Sequence, residues 1–220
     1  MLLSTIVWKL DMTVTLREIA PSEIEQESFR IIREEFGPIN MDESSFRIIQ
    51  RVIHATGDFS FGSSIQISPG AIDAGIEAIH SGRNILTDVT MVAAGISKTM
   101  LGSWGGEVFC RVADPQIAEL AKAQGKTRSE VAMEQSLDDS IGIVAIGNAP
   151  TALIEIVRLL EKKKLKQPPL VIGVPVGFVN AAESKEFLME RNNLYITSRG
   201  RKGGSPVAAA MVNALLRLAL

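Results

Sequence analysis

Residues 140–164 read SIGIVAIGNAPTALIEIVRLLEKKK, and this stretch decides the fold class. Its first part, residues 140–146, is a short and continuous apolar run, which is typical of a strand buried on both faces. A Gly-Asn-Ala turn follows, and Pro150 begins a segment whose apolar residues recur at helical spacing. A buried strand that leads directly into an amphipathic helix predicts a parallel sheet covered by helices.

The same alternation of strand and helix extends to both sides of this stretch. We predict strands at residues 64–68, 84–88, 107–112, 140–146, 170–176 and 194–198. We predict helices at residues 69–80, 91–94, 115–124, 129–137, 150–164, 181–191 and 205–220. The pattern therefore indicates an α/β protein with a mostly parallel sheet that is covered on both faces.

Two further helices are predicted before the first strand. The first follows Pro21 and ends at Gly37-Pro38, and the second is capped by Asp42 and runs to about Gly57. In the second helix, one face is apolar, with Phe46, Ile49 and Ile53. A separate cationic face holds Arg47, Arg51 and His54, which fall within about 60° of one another at 100° per residue.

Composition excludes several classes of function. A net charge of −2 over 220 residues provides no basic field for nucleic acid. A lone cysteine, Cys110, forms no internal disulfide and is interpreted as a core residue. His54 and His80 are far apart and lack metal-ligand spacing, so no protein-bound metal is expected. The sequence has no phosphate-binding loop motif, so we expect no nucleotide site. It has no apolar run of about 20 residues, so we expect no membrane span and place the chain in the cytoplasm.

Four sequence features follow predicted strands and are expected to share one edge of the sheet, where open α/β sheets bind ligands. They are Asp88, residues 147–151, residues 175–177 and residues 199–205. The last reads RGRKGGS and combines cations, glycines and a possible helix cap at Ser205, which suits a carboxylate or phosphate. A glycine turn with solvated charges explains it equally well. Asn148 and Asp88 are each interpreted either as helix caps or as ligand contacts.

His54 has two interpretations. A lone helical histidine is most often structural. Here, however, it shares a face with two arginines, which favour neutral imidazole, whereas an arriving polyanion would favour the protonated form. Histidine in that setting can donate or accept a proton near neutral pH.

Several motifs in one order resemble a known family, the precorrin-8X/cobalt-precorrin-8 methylmutases of corrin (vitamin B12) biosynthesis. The similarity extends from about Glu25 to the C-terminus. The matching segments read ESFRIIR at 27–33, RVIHATG at 51–57, ILTDVTMV at 85–92, GNAPTAL at 147–153, GVPVGFV at 173–179 with AESK at 182–185, and RGRKGGS at 199–205.

The resemblance implies an isomerase that moves a methyl group from ring carbon 11 to ring carbon 12 of a reduced tetrapyrrole polycarboxylate. It implies a three-layer α/β/α fold, a homodimer, no cofactor other than cobalt carried by the substrate, and His54 as the catalytic proton donor and acceptor. Residues 17–220 would form one domain after an N-terminal extension at 1–16. The substrate-binding candidates are Ser28, Arg51, Asp88, Met91, Asn148, Thr151, Arg199, Arg201, Gly203, Gly204 and Ser205, with Val92 and Phe178 as further candidate walls of an apolar pocket.

Two other functions remain compatible with the residues themselves. A non-catalytic tetrapyrrole binder or carrier would use the same pocket without needing His54 to titrate. An α/β enzyme acting on a phosphorylated metabolite would use residues 199–205 as its phosphate site, although the missing phosphate-loop and nucleophile-elbow motifs count against it.

Overall fold

The computed structural model describes residues 19–220, so the predicted N-terminal extension at 1–16 lies outside the described residues. The chain forms a mixed α/β fold. Its helices are α1 (Ile24–Phe36), α2 (Glu43–Thr56), α3 (Phe61–Ser64), α4 (Ala71–His80), α5 (Thr90–Gly95), α6 (Lys98–Gly102), α7 (Pro115–Gln124), α8 (Arg128–Ser136), α9 (Pro150–Lys162), α10 (Ala181–Met189) and α11 (Ser205–Leu218). Its strands are β1 (Ile65–Ile67), β2 (Asn84–Thr87), β3 (Val108–Phe109), β4 (Ile141–Ile146), β5 (Leu170–Gly173) and β6 (Tyr195–Ser198).

The strands form one sheet in the order β1-β6-β5-β4-β2-β3. Every neighbouring pair is parallel except β1 and β6, which are antiparallel. The mostly parallel sheet predicted from the alternating pattern is therefore confirmed. Strand β4 lies in the interior of the sheet, and all six of its residues are buried, as its continuous apolar run indicates.

The core has two halves, one on each face of the sheet. Along β4, Ile143 and Ala145 belong to the half that contains α2, α4, α5 and α11, whereas Val144 and Ile146 belong to the half that contains α7, α8, α9 and α10. This alternation confirms a three-layer α/β/α arrangement. Within residues 19–220, none of the helices is both long enough and apolar enough to span a bilayer.

The predicted ends of helices and strands agree best with the observed ones where the sequence contains a capping residue. Helix α2 begins after Asp42, whose side chain accepts a hydrogen bond from the Ser45 N–H, and it ends at Gly57, which has a φ of 66°. Strand β3 is shorter than predicted, and β5 ends at Gly173 rather than at residue 176. The short helices α3 and α6 were not predicted, because four or five residues contain too little of a helical period to be recognised.

Candidate active site

The carboxyl ends of β2, β4, β5 and β6 gather at one edge of the sheet, as the sequence predicts. The segment after β5 is joined to the segment after β6 by two backbone hydrogen bonds. The Gly204 N–H donates to the Val174 carbonyl at 2.8 Å, and the Gly177 N–H donates to the Arg201 carbonyl at 3.3 Å. The segment after β5 and residues 199–205 therefore lie directly against each other.

Asp88 holds the turn after β4 in place. Its side chain is 0% exposed, and its carboxylate accepts hydrogen bonds from the backbone N–H groups of Gly147 (3.1 Å), Asn148 (2.8 Å) and Ala149 (2.7 Å). Burial raises the pKa of this carboxyl, while the three N–H groups act in the opposite direction.

The interpretation of Asp88 as the cap of the following helix is wrong. Helix α5 has no side-chain cap, and the carboxylate instead lies at the start of α9, far along the chain. In that position the carboxylate accepts hydrogen bonds from backbone N–H groups next to the N-terminus of α9, where the helix dipole favours a negative charge. A direct contact between Asp88 and a substrate stays a prediction, but the buried carboxylate has a positional task in this state.

Two glycines allow the loops to meet at this edge. A side chain at Gly147 would place its Cβ 2.8 Å from the Ser205 Cα, and one at Gly203 would lie 2.1 Å from the Val174 carbonyl oxygen. Both distances are too short for any other residue, so these positions require glycine. The glycines here are explained by close packing of the two loops.

Ser205 and Asn148 do not cap the helices that follow them. Gly204 is the N-cap of α11 and Ser205 is its first residue, 7% exposed, while Ala149 is the N-cap of α9 and has no side-chain cap bond. Asn148 is instead exposed at the edge. Thr151 forms a hydrogen bond of 2.9 Å with the hydroxyl of Thr127.

Lys185 was not predicted as part of the site architecture. Its side chain is 0% exposed, and its ammonium donates to the Lys202 carbonyl at 2.8 Å and to the Ser198 hydroxyl at 3.4 Å. The buried ammonium therefore stabilises the 199–205 segment through its hydrogen bond to the backbone. Burial lowers the pKa of Lys185 to about 8. A single lysine in a helix carries no local signal of burial, so sequence patterning could not reveal this role.

Replacing Lys185 by methionine is expected to flatten part of the pH dependence of stability. In the unfolded chain Lys185 has its ordinary pKa of 10.5, so between pH 8 and pH 10.5 the unfolded chain binds more protons than the folded one. Stability contributed by this group therefore rises with pH across that window. We expect the difference in unfolding free energy between wild type and Lys185→Met to grow from pH 8 to pH 10 in urea titrations. A difference that stays constant over this range would contradict the assignment.

His54 lies near the end of α2, where that helix packs against the first turns of α11. The imidazole is exposed, and its ring meets Phe29 edge-on, with 5.3 Å between the ring centroids. It lines a cleft of about 230 Å³ together with Arg51, Ala55, Gly95, Pro206, Ala209, Ala210 and Asn213. Several of these residues are glycine or alanine, so no bulky side chain narrows that side of the cleft.

Asn213 fixes one wall of this cleft, which we call the His54 cleft. Its amide oxygen accepts from the Ser97 N–H at 2.9 Å, and its amide nitrogen donates to the Gly95 carbonyl at 2.8 Å. These bonds join α11 to the segment between α5 and α6. No group of three or more His, Cys, Asp or Glu side chains that could hold a metal is found within residues 19–220.

Arg51 connects the His54 cleft to a larger one. Its side chain is 13% exposed, lies over the Phe29 ring at 5.0 Å and forms an ion pair with Glu25 at 3.2 Å. It also lines a cleft of about 570 Å³ between α1, α2 and α11, to which Arg47 contributes. The predicted polar face of α2 is confirmed, since Arg47 and His54 are exposed and Arg51 is half-buried, while Phe46, Ile49 and Ile53 are buried.

The 199–205 segment is attached to the loop that follows α2. The Lys202 ammonium lies 2.6 Å from the Asp58 carboxylate and 2.9 Å from the Ser60 hydroxyl. The bonds from Lys202 and Ser60 lower the pKa of Asp58 to about 2. The glycine-rich segment therefore sits next to the His54 helix, and Pro206, directly after it, lines the His54 cleft.

The remaining predicted residues do not line the His54 cleft. Ser28 is half-buried on α1 and donates to the Ile24 carbonyl at 2.8 Å. Met91 is 68% exposed and Phe178 is 86% exposed, and the Arg201 guanidinium lies 5.4 Å from the Phe178 ring. Within residues 19–220, the His54 cleft brings together His54 and Arg51 but none of the other predicted site residues; Val92 is fully buried.

His80 belongs elsewhere. Its Nε2 lies 2.8 Å from the Ala219 carbonyl oxygen, and its ring lies 4.5 Å from that of Trp104. His80 is thus an exposed residue at the end of α4 that contacts the residue following α11.

Known proteins resemble this chain along most of its length. A family model described as precorrin-8X methylmutase matches residues 23–218. The cobalt-precorrin-8 methylmutase of Priestia megaterium is 46% identical over 202 residues, which are 91% of this chain and 89% of that protein. The precorrin-8X methylmutase of Pseudomonas aeruginosa is 42% identical over 195 residues, covering 87% of this chain and 93% of that protein.

A solved structure has the same fold. The crystal structure of precorrin-8X methylmutase from Thermus thermophilus is 41% identical, with a TM-score of 0.81 over 90% of this chain and 96% of that one. The family implied by the sequence motifs is confirmed by these comparisons. The chain belongs to the precorrin-8X methylmutase family, and it is an isomerase of corrin biosynthesis.

Proposed function

We propose that this protein moves a methyl group from ring carbon 11 to ring carbon 12 of precorrin-8X or cobalt-precorrin-8, with His54 as the proton donor and acceptor. The proposal rests mainly on one observation: the exposed imidazole of His54 lies beside Arg51 in a cleft whose other lining residues are mostly small. A histidine there can exchange a proton with a bound macrocycle near neutral pH. The products would be hydrogenobyrinate or cobyrinate.

The proton transfer changes the electron distribution of the ring. Protonation of a ring nitrogen or carbon by His54 would draw electron density from the conjugated system and lower the barrier for migration. The bond from carbon 11 to the methyl group breaks, the bond from the methyl group to carbon 12 forms, and His54 recovers a proton at the end. Substrate and product then have the same composition, as an isomerisation requires, and no cofactor is needed for this step.

The cations around the cleft suit a polycarboxylate. Arg51 stands beside His54, and the exposed Arg199 and Arg201 lie on the segment that leads to Pro206. Guanidinium groups bind carboxylates through two parallel hydrogen bonds. We propose that Arg51 and Ser28 orient the macrocycle, that residues 199–205 bind its carboxylates, and that Met91, Asn148 and Thr151 lie at its edge.

We further propose that the protein acts as a homodimer in the cytoplasm. Phe178 and Val179 are 86% and 78% exposed beside the carboxyl edge of the sheet, and such apolar side chains are typical of an interaction surface. Light scattering would report twice the chain mass of 23.8 kDa for the dimer.

Anaerobic incubation with each substrate tests the proposed activity. Purified protein is mixed with metal-free or cobalt-containing substrate, and the visible spectrum is followed, because migration of the methyl group changes the conjugation of the ring. We expect turnover of at least one substrate, with product of unchanged mass. The control is the same protein after heat denaturation. Binding of both compounds without any spectral conversion would instead indicate a carrier.

A further inference from the structure

A cleft lies between α1, α2 and α11, next to the His54 cleft. At about 570 Å³ it exceeds the His54 cleft, and the two share Arg51. It is lined by Glu25, Gln26, Phe29, Arg30, Arg33, Glu43, Arg47, Gln50, Arg51, Ala214, Arg217 and Leu218. A ligand held at His54 can therefore extend a substituent past Arg51 into this second space, which we call the Arg217 cleft.

A carboxylate of the protein already lies between two arginines that line the Arg217 cleft. One oxygen of Glu25 lies 3.2 Å from a terminal nitrogen of Arg51, and its other oxygen lies 3.2 Å from a terminal nitrogen of Arg217. The two arginines come from different helices, α2 and α11. Glu25 thus bridges them in the way that a bound carboxylate would.

This bridge is suited to exchange. Both distances exceed the roughly 2.7–2.9 Å of strong charge-assisted hydrogen bonds, and the side chains of Glu25 and Arg217 are 42% and 51% exposed. The exposed pair between Glu25 and Arg217 contributes about 0–1 kcal/mol, so opening this side of the bridge to a ligand carboxylate has a low cost. Phe29, Ala214 and Leu218 add apolar surface, which suits the methylene groups of an acetate or propionate arm.

We propose that Glu25 occupies, in the free enzyme, the place of a substrate carboxylate, and that Arg217 binds that carboxylate together with Arg51 in the complex. The ligand is an acetate or propionate arm of the macrocycle, so the inference rests on the proposed function. Arg217 is then a further substrate-binding residue, and Glu25 competes with the substrate and sets its affinity.

Steady-state kinetics of single variants test this assignment. Arg217→Gln is expected to raise KM about tenfold, as loss of a charge-assisted hydrogen bond predicts. The kcat should stay within about twofold, because a contact to a side-arm carboxylate is the same in the ground state and the transition state. Glu25→Gln is expected to lower KM about threefold, since the competing charge is removed. In the double variant Glu25→Gln/Arg217→Gln, the gain from removing Glu25 should shrink, because only Arg51 remains.

Arg191→Gln is the matched control. Arg191 lines neither cleft, and its guanidinium forms an ion pair with Glu161 at 2.8 Å, so KM should not change. Equal thermal unfolding midpoints would show that all variants fold.

An unchanged KM in Arg217→Gln, or a raised KM in Glu25→Gln, would overturn the inference. Its failure can be told apart from failure of the proposed function by titrating hydrogenobyrinate and following its absorbance. If the wild type isomerises neither substrate, the proposed function fails, while a weaker affinity of Arg217→Gln for hydrogenobyrinate would still support the carboxylate site. If the wild type is active and Arg217→Gln binds hydrogenobyrinate normally, the carboxylate site alone fails.

Discussion

Replacing His54 by asparagine is expected to lower kcat by about 10²–10⁴-fold, the usual contribution of a positioned general acid or base. Asparagine keeps a polar side chain of similar reach in the His54 cleft, but it cannot carry a proton. Because His54 is exposed at the end of α2, the substitution should leave the fold intact. Single-turnover spectra under anaerobic conditions would measure the rate of methyl migration directly.

The other histidine provides the control for this prediction. His80→Asn changes a residue at the end of α4 that contacts Ala219 and Trp104, so its kcat should match that of the wild type. Hydrogenobyrinate should bind to His54→Asn with nearly the wild-type affinity, because the cationic groups remain. Wild-type turnover by His54→Asn would show that the proton comes from another group.

Replacing Asp88 by alanine is expected to destabilise the fold by about 3–5 kcal/mol. The change leaves the N–H groups of Gly147, Asn148 and Ala149 without their acceptor, and each buried unpaired donor costs about 1–3 kcal/mol. It also removes a negative charge from the start of α9. The free energy of unfolding, from urea titration at neutral pH, measures the loss.

Asp114→Ala is the control for this effect. Asp114 also accepts a hydrogen bond from a backbone N–H, at the start of α7, but its side chain is partly exposed. Water can replace it there, so we expect a loss of about 1 kcal/mol, the usual value for a helix cap. If Asp88→Ala lost no more stability than Asp114→Ala, the buried carboxylate would not have the role assigned to it.

The features predicted well from the sequence are those that depend on neighbouring residues. Helix α2 is an example, because Asp42 and Gly57 supply its caps and its apolar and polar faces repeat at helical spacing. Strand β4 is another example, since a run of six apolar residues between two turns is too short for a typical helix and is typical of a buried strand. The gathering of four strand ends at one edge follows from parallel pairing alone.

Strand order could not be predicted in the same way. The sheet places β6 between β1 and β5 and reverses the direction of β1, and no local pattern records either fact. The partners of Asp88 are 59 to 61 residues away, so the local rule that links an aspartate to the next helix led to the wrong helix. Long-range pairing depends on the packing of the whole chain.

In the candidate site, too, the contacts between residues close in sequence could be predicted, and those between distant residues could not. Arg51 and His54 are one helical turn apart, so periodicity places them together, and the structure confirms it. Lys185 beneath the 199–205 segment, and Glu25 between Arg51 and Arg217, depend on elements that are distant in sequence. Side chains of this kind are found by burial and distance in three dimensions.

Helix α11 has a consequence for how the protein is made. Its residues 205–218 supply both buried core and, through Pro206, Ala209 and Ala210, one wall of the His54 cleft. Chains are synthesised from the N-terminus, so α2 with its histidine leaves the ribosome long before the helix it packs against. A nascent or prematurely terminated chain therefore holds the imidazole without the wall that faces it. The capacity to hold a macrocycle arises late, together with completion of the core.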